Sequence, residues 1–148
     1  MPHRYLFGRD MRIRNFERLC DGLRALVGAE ASRQQQGELW AMRFSVRDLD
    51  VHLLHAPEID PQKASLVVDL GEFSPAEELD GWMELLCANH ALRGAAVPRF
   101  GRDPESGRVI LQYAFLLMEA CAEHVYAKLL EMVSTACEWR QRQQRYTG

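Results

Sequence analysis

The sequence of 148 residues contains no long hydrophobic run. A transmembrane helix needs about 20 consecutive apolar residues, and no stretch of this chain comes close to that length. The N-terminal sequence MPHRYLFGRDMRIR places charges on both sides of a very short apolar patch, so it lacks the apolar stretch of a secretory signal. We therefore expect a cytoplasmic protein that does not insert into membranes.

Paired cysteines are absent as well. The chain has four cysteines: Cys20, Cys87, Cys121 and Cys137. None of them is part of a C-x-x-C motif, and structural zinc sites need ligands clustered in that way. His52 and His55 lie three residues apart on a predicted strand and so point to opposite faces of it, which suits one metal ion poorly. We expect buried or half-buried free thiols, and no metal or other cofactor.

The common catalytic motifs are also missing. The chain has no G-x-S-x-G motif, no phosphate-binding loop and no G-x-G-x-x-G motif. Each cysteine lies on or beside the apolar stripe of a predicted helix, where inert thiols are more common than nucleophiles. We therefore predict that the protein is not an enzyme. A cysteine–histidine site assembled in space is the alternative that the sequence leaves open.

The charge is weakly negative and uneven. The net charge is −3, with six arginines against three acids in residues 1–24 and three arginines without an acid in residues 140–148. The body between these segments is acidic, whereas nucleic-acid binding requires a basic surface. The acidic body argues against a nucleic-acid partner and suits a neutral or basic polypeptide, although it would also serve solubility alone.

The apolar spacing predicts three helices and five strands. Asp10 is a candidate N-cap for the first helix, and Ser74 for the second; the polar segment 29–37 is predicted to be a loop. The predicted helices cover residues 11–27, 74–89 and 117–144, and the predicted strands cover 38–46, 49–55, 65–70, 95–100 and 108–115. The expected fold is α+β: a twisted antiparallel sheet of about five strands with three helices, in the order α-β-β-β-α-β-β-α. We expect residues 1–148 to form one domain, with 1–10 as an N-terminal extension and 140–148 as a polar tail.

Three stretches resemble one known family. They are residues 15–26 of the first helix, the helix end LDGWMELLCAN at residues 79–89, and the turn DPESGRVIL at residues 103–111. Together with the order of elements, they are similar to the class I chaperones of bacterial type III secretion, the Tir chaperone family. The longer N-terminal extension and the tail rich in glutamine and arginine depart from the pattern of that family.

The resemblance implies a homodimer that binds the extended N-terminal chaperone-binding segment of a secreted effector and keeps it export-competent. The ATPase of the export apparatus is a further candidate partner. The dimer interface implied by the resemblance contains Leu79, Trp82, Met83, Leu86, Val97 and Phe100. The effector-binding residues that we expect are Phe16, Leu19, Leu23, Trp40, Met42, Phe44 and Leu54. For Trp40, Met42 and Phe44, membership of the core is the alternative.

A second function is compatible with the same fold. A regulatory or sensory module of the YbjN-like kind would bind a folded regulator or a secretion component instead of an extended segment. This is the alternative to the export chaperone, which is the leading hypothesis.

Overall fold

The computed structural model describes residues 3–28, 30–92 and 97–147, with the side chains of residues 14–143 within those ranges. The described part contains three α-helices, six strands and one short 3-10 helix. The helices are α1 (His3–Val27), α2 (Glu78–Ala91) and α3 (Ala122–Thr147), and the 3-10 helix is Leu117–Glu119. The strands are β1 (Ser32–Gln36), β2 (Leu39–Val46), β3 (Leu49–His55), β4 (Lys63–Gly71), β5 (Arg99–Arg102) and β6 (Val109–Leu116).

The strands form one antiparallel sheet in the order β1-β2-β3-β4-β6-β5. Strands β1 and β5 are therefore its two edges. A two-residue turn joins β2 to β3, and both of its residues, Arg47 and Asp48, have positive φ angles of 51° and 65°. This is the left-handed conformation that a tight hairpin turn requires. The predicted α+β fold is confirmed, with six strands instead of about five.

The additional strand is β1, which lies in the segment that we predicted to be a loop. All of its residues, SRQQQ, are exposed, so it carries no alternation of apolar and polar side chains. Its main chain nevertheless pairs with β2 along the whole strand, from Ser32 opposite Arg43 to Gln36 opposite Leu39. Main-chain pairing thus forms this strand without help from buried side chains.

Three boundaries also differ from the prediction. Helix α1 begins at His3, so most of the predicted N-terminal extension is helical and Asp10 lies inside the helix. Helix α2 begins at Glu78; Ser74 is part of a turn, in which its carbonyl accepts a hydrogen bond from the Glu77 N–H. Strand β5 runs into the predicted turn, and its predicted beginning at residues 95 and 96 lies outside the described residues.

A single core lies between the helices and one face of the sheet. Alternate residues of β2, β3, β4 and β6 are buried on that face, where they pack with buried residues of α1 and α3 and with Leu85 of α2. The close packing of α1 on α3 depends on Gly22, because a Cβ there would lie 2.7 Å from the Cβ of Ala122. The other face of the sheet carries half-buried and exposed side chains.

An ion pair fixes the start of β6 against β4. The Arg108 Nε donates to both carboxylate oxygens of Asp69, at 2.8 and 3.0 Å, and this hydrogen bond raises the pKa of Arg108. The preceding turn is closed by Asp103, whose carboxylate accepts a hydrogen bond from the Glu105 N–H; this bond lowers the pKa of Asp103. The segment 101–107 between the last two predicted strands is thus confirmed as a turn over residues 103–107, whereas Gly101 and Arg102 belong to β5.

Candidate partner-binding surfaces

Helix α2 exposes apolar side chains on one face. Leu79, Met83 and Leu86, which we call the α2 stripe, are 74%, 58% and 66% exposed. Their spacing places them on one side of the helix, while Gly81 and Leu85 are buried on the other side. A contiguous apolar face in water marks a binding surface. The α2 stripe is therefore a candidate interface.

The other predicted dimer-interface residues lie behind or beside the α2 stripe. Trp82 is half-buried and packs edge-on against Phe73, with ring centroids 5.2 Å apart. Phe100 is half-buried on β5 and packs against the core, and Val97 precedes β5 and is half-buried. The structure thus separates the predicted set into three outward side chains and three that are half-buried.

Five of the seven predicted effector-binding residues are core residues. Their side chains are at most 6% exposed: Phe16, Leu19, Leu23, Met42 and Phe44. They contact other residues of the chain, and a bound segment could reach them only if a covering helix moved. Trp40 is half-buried at the start of β2, and Leu54 is half-buried on the sheet face away from the core. These two are the accessible members of the set.

The sheet face that carries Leu54 has a polar neighbourhood. Arg43 on β2 forms an ion pair of 3.3 Å with Asp50 on β3. His52 lies beside them, opposite Arg43 in the register, and burial, followed by the charge of Arg43, lowers its pKa. The imidazole is therefore neutral at neutral pH, so this face offers a mixed surface of apolar and hydrogen-bonding groups.

His55 lies on the core face, opposite to His52, as the strand spacing predicts. It is 1% exposed, and its ring packs 5.3 Å from that of Phe16. Its Nδ1 lies 2.9 Å from the carbonyl oxygen of Lys63 and donates to it, which assigns the proton to Nδ1. Within the part of the chain that the structure describes, no three His, Cys, Asp or Glu side chains are grouped in a way that could hold a metal ion.

A cavity of about 520 Å³ opens between β6 and the start of α3. Its apolar wall contains Tyr113, Phe115 and Val125, and the rings of Tyr113 and Phe115 stack with centroids 5.7 Å apart. Lys63, Glu119 and His124 supply polar groups, and the lining includes no cysteine. The cavity could accept an apolar side chain, and it places no thiol beside a histidine.

The two sheet edges differ in their chemistry. Strand β1 presents a polar, fully exposed edge, and sequence analysis missed it because apolar spacing is the signal on which strand prediction depends. At β5, the side chain of Asn89 forms two hydrogen bonds with the main chain of Phe100. Asn89 closes the LDGWMELLCAN stretch, yet its sequence context gives no indication of this contact.

The four cysteines occupy different environments. Cys20 is buried in the core, Cys137 is half-buried, and Cys87 and Cys121 are exposed. The expectation of buried or half-buried thiols is therefore wrong for Cys87 and Cys121, because each lies on the solvent side of its segment. Burial raises the pKa of the Cys20 thiol to about 12.

Thiol labelling should distinguish these environments. At pH 8 a thiol with a pKa near 12 has a thiolate fraction of about 1 in 10,000, roughly a thousandfold less than an ordinary cysteine. In the native protein, Cys121 should react with a chromogenic disulfide reagent within minutes, and Cys20 should react only after denaturation. Peptide mapping of the labelled protein assigns the sites. Rapid native labelling of Cys20 would contradict the buried position of α1.

Comparison with known proteins identifies the family. A family model described as the Tir chaperone protein (CesT) family matches residues 35–140. The chain belongs to the Tir chaperone family. The match begins within β1 and ends in α3, so α1 lies before it. The predicted family is thereby confirmed. A search of curated proteins finds no match.

Solved structures share the fold of this Tir chaperone family member. The Yersinia pestis type III secretion chaperone SycH, in complex with a stable fragment of YscM2, is 16% identical with a TM-score of 0.59, and the alignment covers 81% of this chain and 95% of that one. The HopA1-SchA chaperone-effector complex is 10% identical with a TM-score of 0.63, and the alignment covers 86% of this chain and 94% of that one. The ExsC-ExsE complex is 21% identical with a TM-score of 0.61, and the alignment covers 84% of this chain and 90% of that one.

Within the described residues, none of the helices combines the length and the apolar character that crossing a bilayer requires.

Proposed function

We propose that this protein is a type III secretion chaperone that acts in the bacterial cytoplasm, binds the N-terminal chaperone-binding segment of a secreted effector and keeps it export-competent. The observation that carries the proposal is the match of residues 35–140 to the Tir chaperone family. The exposed apolar and main-chain surfaces support it, since they suit a polypeptide ligand better than a small molecule.

The α2 stripe is the proposed dimer interface. Leu79, Met83 and Leu86 have no cover in the single chain, and two copies related by a twofold axis would cover each other with the same patch. Trp82 and Phe100 would support the interface from behind, with Val97 beside it. The α2 stripe would then be absent from the surface that the effector contacts.

The effector segment is proposed to bind in an extended form along the sheet. An extended chain gains main-chain hydrogen bonds at an exposed edge, and alternate side chains reach the neighbouring surface. Trp40 lies on β2, next to β1 and in reach of such a segment, whereas Leu54 on β3 could be contacted only by a part of the partner that crosses the open sheet face. The buried set, from Phe16 to Phe44, would act indirectly by holding α1 and β2 in place. In the last step of the proposed function, the chaperone delivers the bound effector to the ATPase of the export apparatus.

Co-expression with the proteins encoded beside its gene tests this function. The expected result is a stable complex with one of them, purified through a tag on the chaperone. Hydrogen exchange on that complex should protect one N-terminal stretch of the partner and leave the rest unprotected, because the partner is held unfolded. Protection throughout a folded partner would instead favour the regulatory module, and binding to none of these proteins would refute the proposal.

A further inference from the structure

The side chain of Asn89 imitates one residue of a neighbouring strand. Its Nδ2 donates to the carbonyl oxygen of Phe100 at 2.8 Å, and its Oδ1 accepts from the N–H of Phe100 at 2.8 Å. In an antiparallel pair, two opposite residues exchange this same pair of hydrogen bonds. An asparagine side chain has the one donor and one acceptor that the exchange requires.

The groups that Asn89 occupies are those on the free side of β5. Main-chain groups of successive strand residues point alternately to one neighbour and to the other. Phe100 lies opposite Leu111 in the β5–β6 register, and both its N–H and its carbonyl are directed at Asn89, away from β6. Because β5 contains four residues, Arg99–Arg102, the contact closes the central part of a short edge.

Strand β1, at the opposite edge of the sheet, is arranged differently. Its residues Ser32–Gln36 are all exposed. The side-chain hydrogen bonds next to it end on carbonyls outside the strand: Arg24 donates to Ala31, and Gln35 donates to Gly37. Its polar side chains keep this edge soluble, as charged residues do on natural edge strands, and no side chain of the described residues is hydrogen-bonded to the main chain of β1.

We infer that Asn89 acts as a surrogate strand that closes the β5 edge, so that an extended polypeptide adds to the sheet only at β1. This inference rests on the proposed binding of an extended segment and specifies where that segment pairs. Asn89 is a positioning residue in this scheme: it blocks the wrong edge and does not touch the ligand. Helix α2 thereby has two roles: its outer face carries the α2 stripe, and Asn89 near its end protects the β5 edge.

The first test measures whether removing the side chain of Asn89 opens β5. Asn89→Ala and Asn89→Asp are made in a Met83→Lys background, which removes pairing through the α2 stripe. Asn89→Ala should speed amide exchange at Phe100 by at least about tenfold, with little change at Leu111. Asn89→Asp keeps an acceptor for the Phe100 N–H but loses the donor, so its exchange rate should lie between those of the other two proteins.

The second test asks which edge accepts a strand. The probe is a synthetic peptide of about eight alternating threonine and valine residues with lysines at its ends, a generic β-former without reference to any effector. In the same Met83→Lys background, which keeps a dimer partner away from β5, a photo-crosslinking amino acid replaces either Arg33 on β1 or Arg102 on β5. With Asn89 present, the probe should crosslink from position 33 at least about tenfold more than from position 102; with Asn89→Ala, both positions should react.

The outcomes separate this inference from the proposed function. Equal crosslinking at both edges while Asn89 is present would overturn it, as would unchanged exchange and crosslinking in Asn89→Ala. Since the probe is not an effector, either result would leave the co-expression test of the chaperone function unaffected. Should Asn89→Ala fail to fold, Asn89→Asp and the edge preference of the Asn89-containing protein still decide the question.

Discussion

Met83→Lys is expected to convert the proposed dimer into a monomer. In a twofold interface through the α2 stripe, the substitution removes two buried methionines and places two lysine charges close together on apolar surface. We expect the free energy of dimerisation to become less favourable by about 4 kcal/mol or more, which corresponds to at least a thousandfold increase in the dimer dissociation constant. Size-exclusion chromatography with light scattering measures the change directly.

The substitution should leave the fold of the single chain intact. Met83 is 58% exposed, so its replacement should alter the free energy of unfolding of the monomer by no more than about 0.5 kcal/mol. Cys87, which follows Leu86 on the exposed side of α2, supplies a second measurement: its labelling should be slow in the dimer and fast in Met83→Lys.

A matched control lies outside α2. Met118 is 87% exposed on the 3-10 helix and belongs to neither the α2 stripe nor α2 itself. Met118→Lys makes the same chemical change and should leave the dimer unaffected. A dimer that survives Met83→Lys, or that dissociates equally in Met118→Lys, would place the interface elsewhere.

The sequence predicted the elements whose apolar residues follow a clear period. Strands β2, β3, β4 and β6 alternate between core and solvent, as their sequences indicate. Strand β1 was missed because it is entirely polar, and the first turns of α1 were missed because their apolar patch is too short to show a helical period. The predicted caps, Asp10 and Ser74, were wrong because helix starts depend on local packing as well as on capping residues.

The candidate surfaces were harder to predict, because spacing does not tell which apolar residues stay exposed. The stripe of α1 that contains Phe16, Leu19 and Leu23 faces the sheet and is buried, whereas α2 has apolar residues on two sides. Leu85 and Leu86 are adjacent and chemically identical, yet one is buried and the other is exposed. Only the tertiary packing of α2 against the aromatic side chains beside it distinguishes them.

Gly81→Ala tests that packing. The sign of the change in the free energy of unfolding distinguishes helix propensity from steric overlap. Helix propensity alone favours alanine over glycine within a helix by about 1 kcal/mol. In the structure, however, a Cβ at position 81 would lie 2.6 Å from Cζ and 2.7 Å from Cδ1 of Phe73. The Phe73 ring has little room to withdraw, because it packs edge-on against both Trp82 and Trp139, at centroid distances of 5.2 and 5.3 Å.

We therefore expect Gly81→Ala to be destabilising by about 1–3 kcal/mol despite its better propensity. Urea denaturation followed by tryptophan fluorescence measures the free energy of unfolding. A second variant isolates the cause, because in a Phe73→Leu background the smaller side chain leaves space for the new methyl group. Gly81→Ala should therefore lower the free energy of unfolding by less in that background. The difference between the two backgrounds gives the coupling energy between positions 73 and 81. Stabilisation by Gly81→Ala in the otherwise unchanged protein would mean that α2 does not pack on Phe73 as described, and the outward direction of the α2 stripe would lose its structural basis.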